Sequence, residues 1–219
     1  MKKSFLISGI CAVLFLLLIV VLKTVDVAAI GPAGTEVGLS GINGAVHESL
    51  GESHFWYQLT KILGFLSLAT AAFFAAVGVM QFIRGRGRLS EVDRGLLYAV
   101  VLYAVTAVLY VLFDKVTINC RPVLEAGQSV PEPSFPSTHT LLVIVIMGSA
   151  VILIGRYVRN RMTRQLLQAC CGVVIAVTVI GRLISGVHWL TDIIGGILLS
   201  LALLFLYKGM LERGKRRRS

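Results

Sequence analysis

The stretch FLISGICAVLFLLLIVVL occupies residues 5–22, with Lys2 and Lys3 just before it. It holds no Asp, Glu, Lys, Arg or His. A helix of a soluble domain keeps a polar face toward water, and this run has none. At 1.5 Å per residue it crosses most of the roughly 30 Å of hydrocarbon in a bilayer. A secretory signal is the competing reading, with Val27, Ala28 and Ala29 as its cleavage site. The apolar part of a signal is about 7–15 residues, shorter than this run, so a retained anchor helix is expected.

Five further runs follow. They lie near Leu59–Ile83, Leu96–Phe113, Leu141–Val158, Leu167–Ile184 and Ile193–Tyr207. Over 219 residues, 56% are apolar and 15% charged, against roughly 45–50% and 25% in soluble domains. Mean hydropathy is +0.84. This excludes a soluble globule, a disordered chain, collagen and a disulfide framework. Unbroken runs favour helices over the short alternating segments of a β-barrel. The expected fold is an all-α integral membrane protein, a single domain over residues 1–219 with six transmembrane helices. Cys11, Cys120, Cys170 and Cys171 show no zinc spacing and read as packing residues.

Net charge is +10, yet the bases sit in short loops between apolar runs. That is a topology signal rather than a nucleic-acid footprint. With the N-terminus inside, 16 of the 21 basic residues fall on the inner side. They include Arg84, Arg86, Arg88, Arg156, Arg159, Arg161, Arg164 and the tail from Lys208 through Arg218. Lys23, Lys61, Lys115, Arg121 and Arg182 remain outside. Both termini are therefore expected in the cytoplasm. Residues 24–58 form an outer segment. Leu39, Ile42, Val46 and Leu50 recur there at helical spacing, and Trp56 and Tyr57 mark the next interface. An amphipathic helix lying on the membrane is expected, either as a plain cap or as a lip guiding lipid.

Three segments carry chemistry. Lys115 and Arg121-Pro122 follow the third span. Pro136-Ser137-Thr138-His139 opens the fourth. Arg182, His188 and Asp192 bracket the junction of the fifth and sixth. The six-span arrangement brings all three to the outer face, the side otherwise poor in bases. Ionisable groups at membrane level are costly and mark function. Three cations, a hydroxyl and helix-start N–H groups suit a tetrahedral phosphate. Two histidines suit attack and leaving-group protonation. Asp192 follows His188 by four residues, so on a helix the carboxylate can hold one ring nitrogen. Each piece has a plain alternative. Ser137 reads as an N-cap, Arg121-Pro122 as an interfacial anchor and loop stop, and Asp192 as the cap of the sixth helix.

These residues resemble the type 2 phosphatidic acid phosphatase superfamily of membrane lipid phosphatases. Its motifs are lysine, six residues, Arg-Pro; then Pro-Ser-Gly-His; then Ser-Arg, five residues, His, three residues, Asp. Here Thr138 stands at the glycine and Gly181 at the serine, and Lys115 is one residue too near Arg121. Six residues on a helix are rotated by about 120°, whereas seven share a face. The resemblance implies that His188 is the nucleophile of a phosphohistidine, oriented by Asp192. It implies that His139 protonates the leaving group and then activates water. Lys115, Arg121, Ser137, Thr138 and Arg182 would hold the phosphoryl oxygens. No cofactor is implied, and with no carboxylate cluster for Mg²⁺, metal-independent hydrolysis is expected. The substrate expected is a lipid or polyprenyl phosphate drawn from the bilayer. Phosphatidic acid, phosphatidylglycerophosphate and undecaprenyl diphosphate are candidates, and no nucleic-acid partner is expected. The protein is expected in the cell membrane with its site facing outward.

Three other readings use the same residues. A haem or quinone protein would use His139 and His188 as axial ligands, but leaves the arginines without a role. A lipid-binding or transport protein would need the phosphate cradle without a complete nucleophile, orienter and acid set. Haloperoxidases carry a similar site for vanadate, but those resemblances are to soluble proteins.

Overall fold

The computed structural model describes residues 1–124 and 130–216, the side chains of 215 and 216 excepted. Arg217 and Arg218 of the basic tail lie outside the described residues. Among the described residues seven α-helices run in order: α1 (Lys2–Thr24), α2 (Ser40–Leu50), α3 (His54–Arg84), α4 (Arg94–Lys115), α5 (Thr138–Tyr157), α6 (Arg161–Ile184) and α7 (Leu190–Arg216). All except α2 are long and apolar enough to cross a membrane, giving six spans. Among the described residues there is no extended sheet. Only two isolated bridges occur, Ala28 with Val37 and Cys120 with Pro133.

The spans start and stop where local chemistry dictates. Asp93 caps α4 by accepting from Gly95 N–H at 2.6 Å, and its other oxygen takes Arg156 Nη2 at 2.6 Å. Asn160 caps α6 by accepting from Thr163 N–H at 3.0 Å. Such caps satisfy amides that the helix leaves orphaned. The sixth span begins at Leu190, three residues before its apolar run, so Asp192 sits inside the first turn of α7 rather than at its cap.

α5 is the central helix. Of its most apolar window 61% is buried, against 17–22% in α1, α3, α4 and α6. It packs between α3, α4, α6 and α7, and α1 packs along α7. The terminal amine of Met1 pairs with Glu212, so both chain ends share one face. α2, residues 116–124 and 130–137, and the α6–α7 turn share the opposite face.

The 24–58 segment contains a helix where one is expected, with Leu39 packed against the core. Ile42 and Leu50 are exposed, whereas Ser40 and Asn43 are buried. Asn43 Nδ2 donates to Gly38 carbonyl at 2.9 Å and to Thr191 Oγ1 at 3.0 Å, and its Oδ1 accepts from Thr191 N–H at 3.2 Å. One polar side chain thus fastens α2 onto the start of α7.

Candidate active site

His188 stands in the turn between α6 and α7. Just past α6, Gly186 adopts φ +74, left-handed backbone that suits glycine. A Cβ there would also fall 2.7 Å from the Gly51 carbonyl, where the α2–α3 link packs over the turn. The turn drives His188 inward, leaving it 4% exposed.

Two groups flank its ring. Nδ1 faces Asp192 Oδ2 across 3.4 Å, and Nε2 lies 3.2 Å from Arg182 Nη2. A guanidinium can only donate, so Nε2 accepts and carries the lone pair, and the proton of the neutral ring sits on Nδ1. Asp192 is fully buried, and the same Oδ2 accepts from the Trp189 N–H at 2.9 Å. Burial first, then the nearby Arg182 and Arg121 charges, hold the His188 imidazole well below its ordinary range. A neutral ring with a fixed tautomer is the form a nitrogen nucleophile needs.

Arg121 reaches this centre through backbone. Its N–H donates to the Glu132 carbonyl at 2.9 Å, and Ser134 N–H donates to the Asn119 carbonyl at 2.9 Å. Residues 119–121 and 132–134 thereby pair as a short ribbon. Glu132 Oε2 lies 3.3 Å from Arg121 Nη2. Trp189, next to His188, donates its indole N–H to the Cys120 carbonyl at 2.7 Å. The ribbon and the His188 turn are therefore held together one residue away from each functional side chain.

His139 lies in the first turn of α5. Ser137 caps that helix: its Oγ accepts from the Thr140 hydroxyl at 3.0 Å and lies 3.5 Å from the Thr140 N–H. Its own N–H donates to the Asp192 carbonyl at 2.9 Å, tying α5 to α7. The plain reading of Ser137 as a cap thus describes its geometry, and the cap also joins two motifs. Thr138 is the half-buried first residue of α5. Glycines make the approach possible. A Cβ at Gly195 would run into the Phe135 ring, and one at Gly196 would fall 2.9 Å from the Ser137 carbonyl. On the other side, a Cβ at Gly64 of α3 would fall 2.8 Å from His139 Nε2. The charges of Arg182 and Arg121 act on both histidines, so these four side chains and Asp192 share one centre.

Lys115 does not join them. It is the last residue of α4, its side chain is 77% exposed, and its ammonium pairs with Asp114 at 3.3 Å. The chain from Val116 is extended, so no helical face carries the lysine toward Arg121. Sequence reasoning missed the contribution of α3. Tyr57, Lys61 and Gly64 of that helix border His139 or Arg182. The available signal was a lysine inside an apolar span, four residues after a tyrosine.

A groove of about 470 Å³ runs from this centre between α3, α4 and α5. Lys61 and His139 stand at its mouth, and Phe65, Leu68, Leu142 and Ile146 line it further in. A second apolar groove of about 290 Å³ lies farther along α3 and α4, sharing Tyr103 as a wall. Among the described residues no three His, Cys, Asp or Glu side chains gather as metal ligands would.

Residues 95–216 match the family profile of the PAP2 superfamily. The chain belongs to the PAP2 superfamily. It is a phosphoric-ester hydrolase, set in a multi-pass membrane fold. Among solved structures it is similar to a transmembrane PAP2-type phosphatidylglycerolphosphate phosphatase from Bacillus subtilis. That match has 20% identity and a TM-score of 0.62, and covers 94% of this chain and 96% of the other. It is also similar to Aquifex aeolicus LpxE, with 15% identity and a TM-score of 0.43 over 78% of this chain and 92% of that one. No curated protein matches the sequence significantly.

Proposed function

We propose that this protein hydrolyses the phosphate monoester or diphosphate of a membrane lipid or polyprenol through a phosphohistidine. The carrying observation is that His139 stands at once beside the His188 centre and at the mouth of an apolar groove between spans. A headgroup can meet the cations while its tail stays in a hydrocarbon-lined channel.

His188 Nε2 attacks phosphorus, forming the N–P bond as the P–O bond to the leaving group breaks. His139 delivers a proton to the departing oxygen. Arg121 and Arg182 neutralise the equatorial oxygens, and the guanidinium that donates to Nε2 at rest turns to them. The Asp192 carboxylate supports the charge that builds on the His188 ring. Water then attacks the phosphohistidine, His139 takes its proton, and phosphate leaves. Fixed cations supply the charge neutralisation, so the reaction runs without a metal. The bias of Arg and Lys toward the opposite face supports a site on the outer side of the cell membrane.

The test is phosphate release in detergent with EDTA present. Phosphatidic acid, phosphatidylglycerophosphate and undecaprenyl diphosphate form the panel, beside His188→Ala. Release that survives EDTA and disappears in the variant is expected. Wild type quenched in alkaline detergent should carry acid-labile, base-stable phosphate that His188→Ala lacks. No release from any lipid by folded protein refutes the enzyme reading in favour of lipid binding or transport.

A further inference from the structure

The family motif asks for a lysine that Lys115 does not bring to the site. Lys61 of α3 stands where such a cation is needed. Its Nζ lies 5.1 Å from the centre of the Tyr57 ring, and the Arg182 guanidinium carbon lies 5.5 Å from the same centre. Two cations gathered at one ring repel each other, and a bound anion removes that repulsion. Among the described residues no carboxylate pairs with Lys61. Its charge acts on His139, and both side chains line the mouth of the same groove. A lysine held at membrane level without an acid is costly unless a ligand uses it.

α3 also accounts for the second departure from the motif. A Cβ at Gly181 would fall 2.7 Å from Thr60 Cγ2 and 2.8 Å from Trp56 Cε3. The room a serine side chain would take beside Arg182 is filled from α3. Trp56, Tyr57, Thr60, Lys61 and Gly64 recur at spacings of three and four, so one stripe of the helix faces the site.

We propose that Lys61 supplies the third cation of the phosphoryl-binding site, the place the motif resemblance gave to Lys115. Tyr57 sets the distance between Lys61 and Arg182. The assignment rests on the phosphatase reading above. Its test therefore pairs turnover with binding of inorganic phosphate, the product, titrated calorimetrically into the detergent-solubilised protein. Lys61→Met should weaken phosphate roughly 10- to 100-fold, the span for loss of a charged hydrogen bond. Lys61→Arg should restore most of that loss, and the loss should exceed that of Lys115→Met. Melting temperature and elution volume establish that each variant is folded. Should Lys61→Met misfold, Lys61→Gln takes its place. If turnover persists and phosphate binding is unaltered in Lys61→Met, or if Lys115→Met loses more, the assignment is overturned and the phosphatase reading stands. A wild type that neither binds phosphate nor releases it from lipid overturns both.

Discussion

Asn43 is the most informative residue to remove outside the catalytic set. It is fully buried, and it makes three hydrogen bonds, two to Thr191 and one to the Gly38 carbonyl. Thr191 is the residue before Asp192, so the clamp lies next to the carboxylate that faces His188. Asn43→Ala deletes all three bonds and strands two partners away from water. At about 0.5–1.5 kcal/mol per bond the cost is roughly 1.5–4.5 kcal/mol. For a chain of this length each kcal/mol moves a melting midpoint by about 2–4 °C, so a drop of roughly 3–18 °C is expected in a thermal scan in detergent. Turnover should fall with little change in KM, because Asn43 touches the orienting residue's neighbour and not the groove. Asn43→Asp keeps an acceptor for the Thr191 N–H but loses the donor and buries a charge, so it should be no milder. An unchanged melting point together with unchanged turnover would refute the clamp and return α2 to a surface cap or lipid lip. A raised KM with unchanged kcat would favour the lip.

Trp189→Phe removes the indole donor that holds the Cys120 carbonyl at 2.7 Å. A loss of about 1–3 kcal/mol in stability and a lower kcat/KM are expected, since Arg121 is no longer tied to the His188 turn. Gly195→Ala drives a methyl into the Phe135 ring. It should destabilise by about 1–3 kcal/mol through overpacking, whereas Gly9→Ala, with nothing within 4 Å, should be neutral or mildly stabilising in the same thermal scan. The acid limb of kcat/KM should lie below pH 6.5. The depressed His188 value keeps its lone pair free as pH falls through the ordinary histidine range, and activity is lost only when that nitrogen finally protonates. An acid limb above 6.5 would contradict the buried, arginine-flanked ring.

Sequence periodicity and charge carried most of the architecture. A run such as residues 5–22 has no polar face to offer water, so burial in hydrocarbon follows from composition alone. The gathering of His188, Asp192, Arg182 and His139 was legible because each sits at a span end, where topology alone decides which ends meet. The lysine proposed for the site was not legible. Spacing along one chain placed Lys115 near Arg121, but α4 ends at that residue and the backbone then extends, turning the side chain outward. Lys61 comes from a helix more than fifty residues upstream. Only the packing of α3 on α5 and α6, permitted by the missing Cβ atoms of Gly64 and Gly181, brings it to His139. The amphipathic pattern of residues 39–50 likewise located α2 but not its contact, because the buried anchor is Asn43, a polar residue whose partners lie across the fold. Hydrophobic burial depends on residue type and period and can be read along a line. Directional contacts depend on which backbones approach closely, and here glycines far apart in the chain decided that.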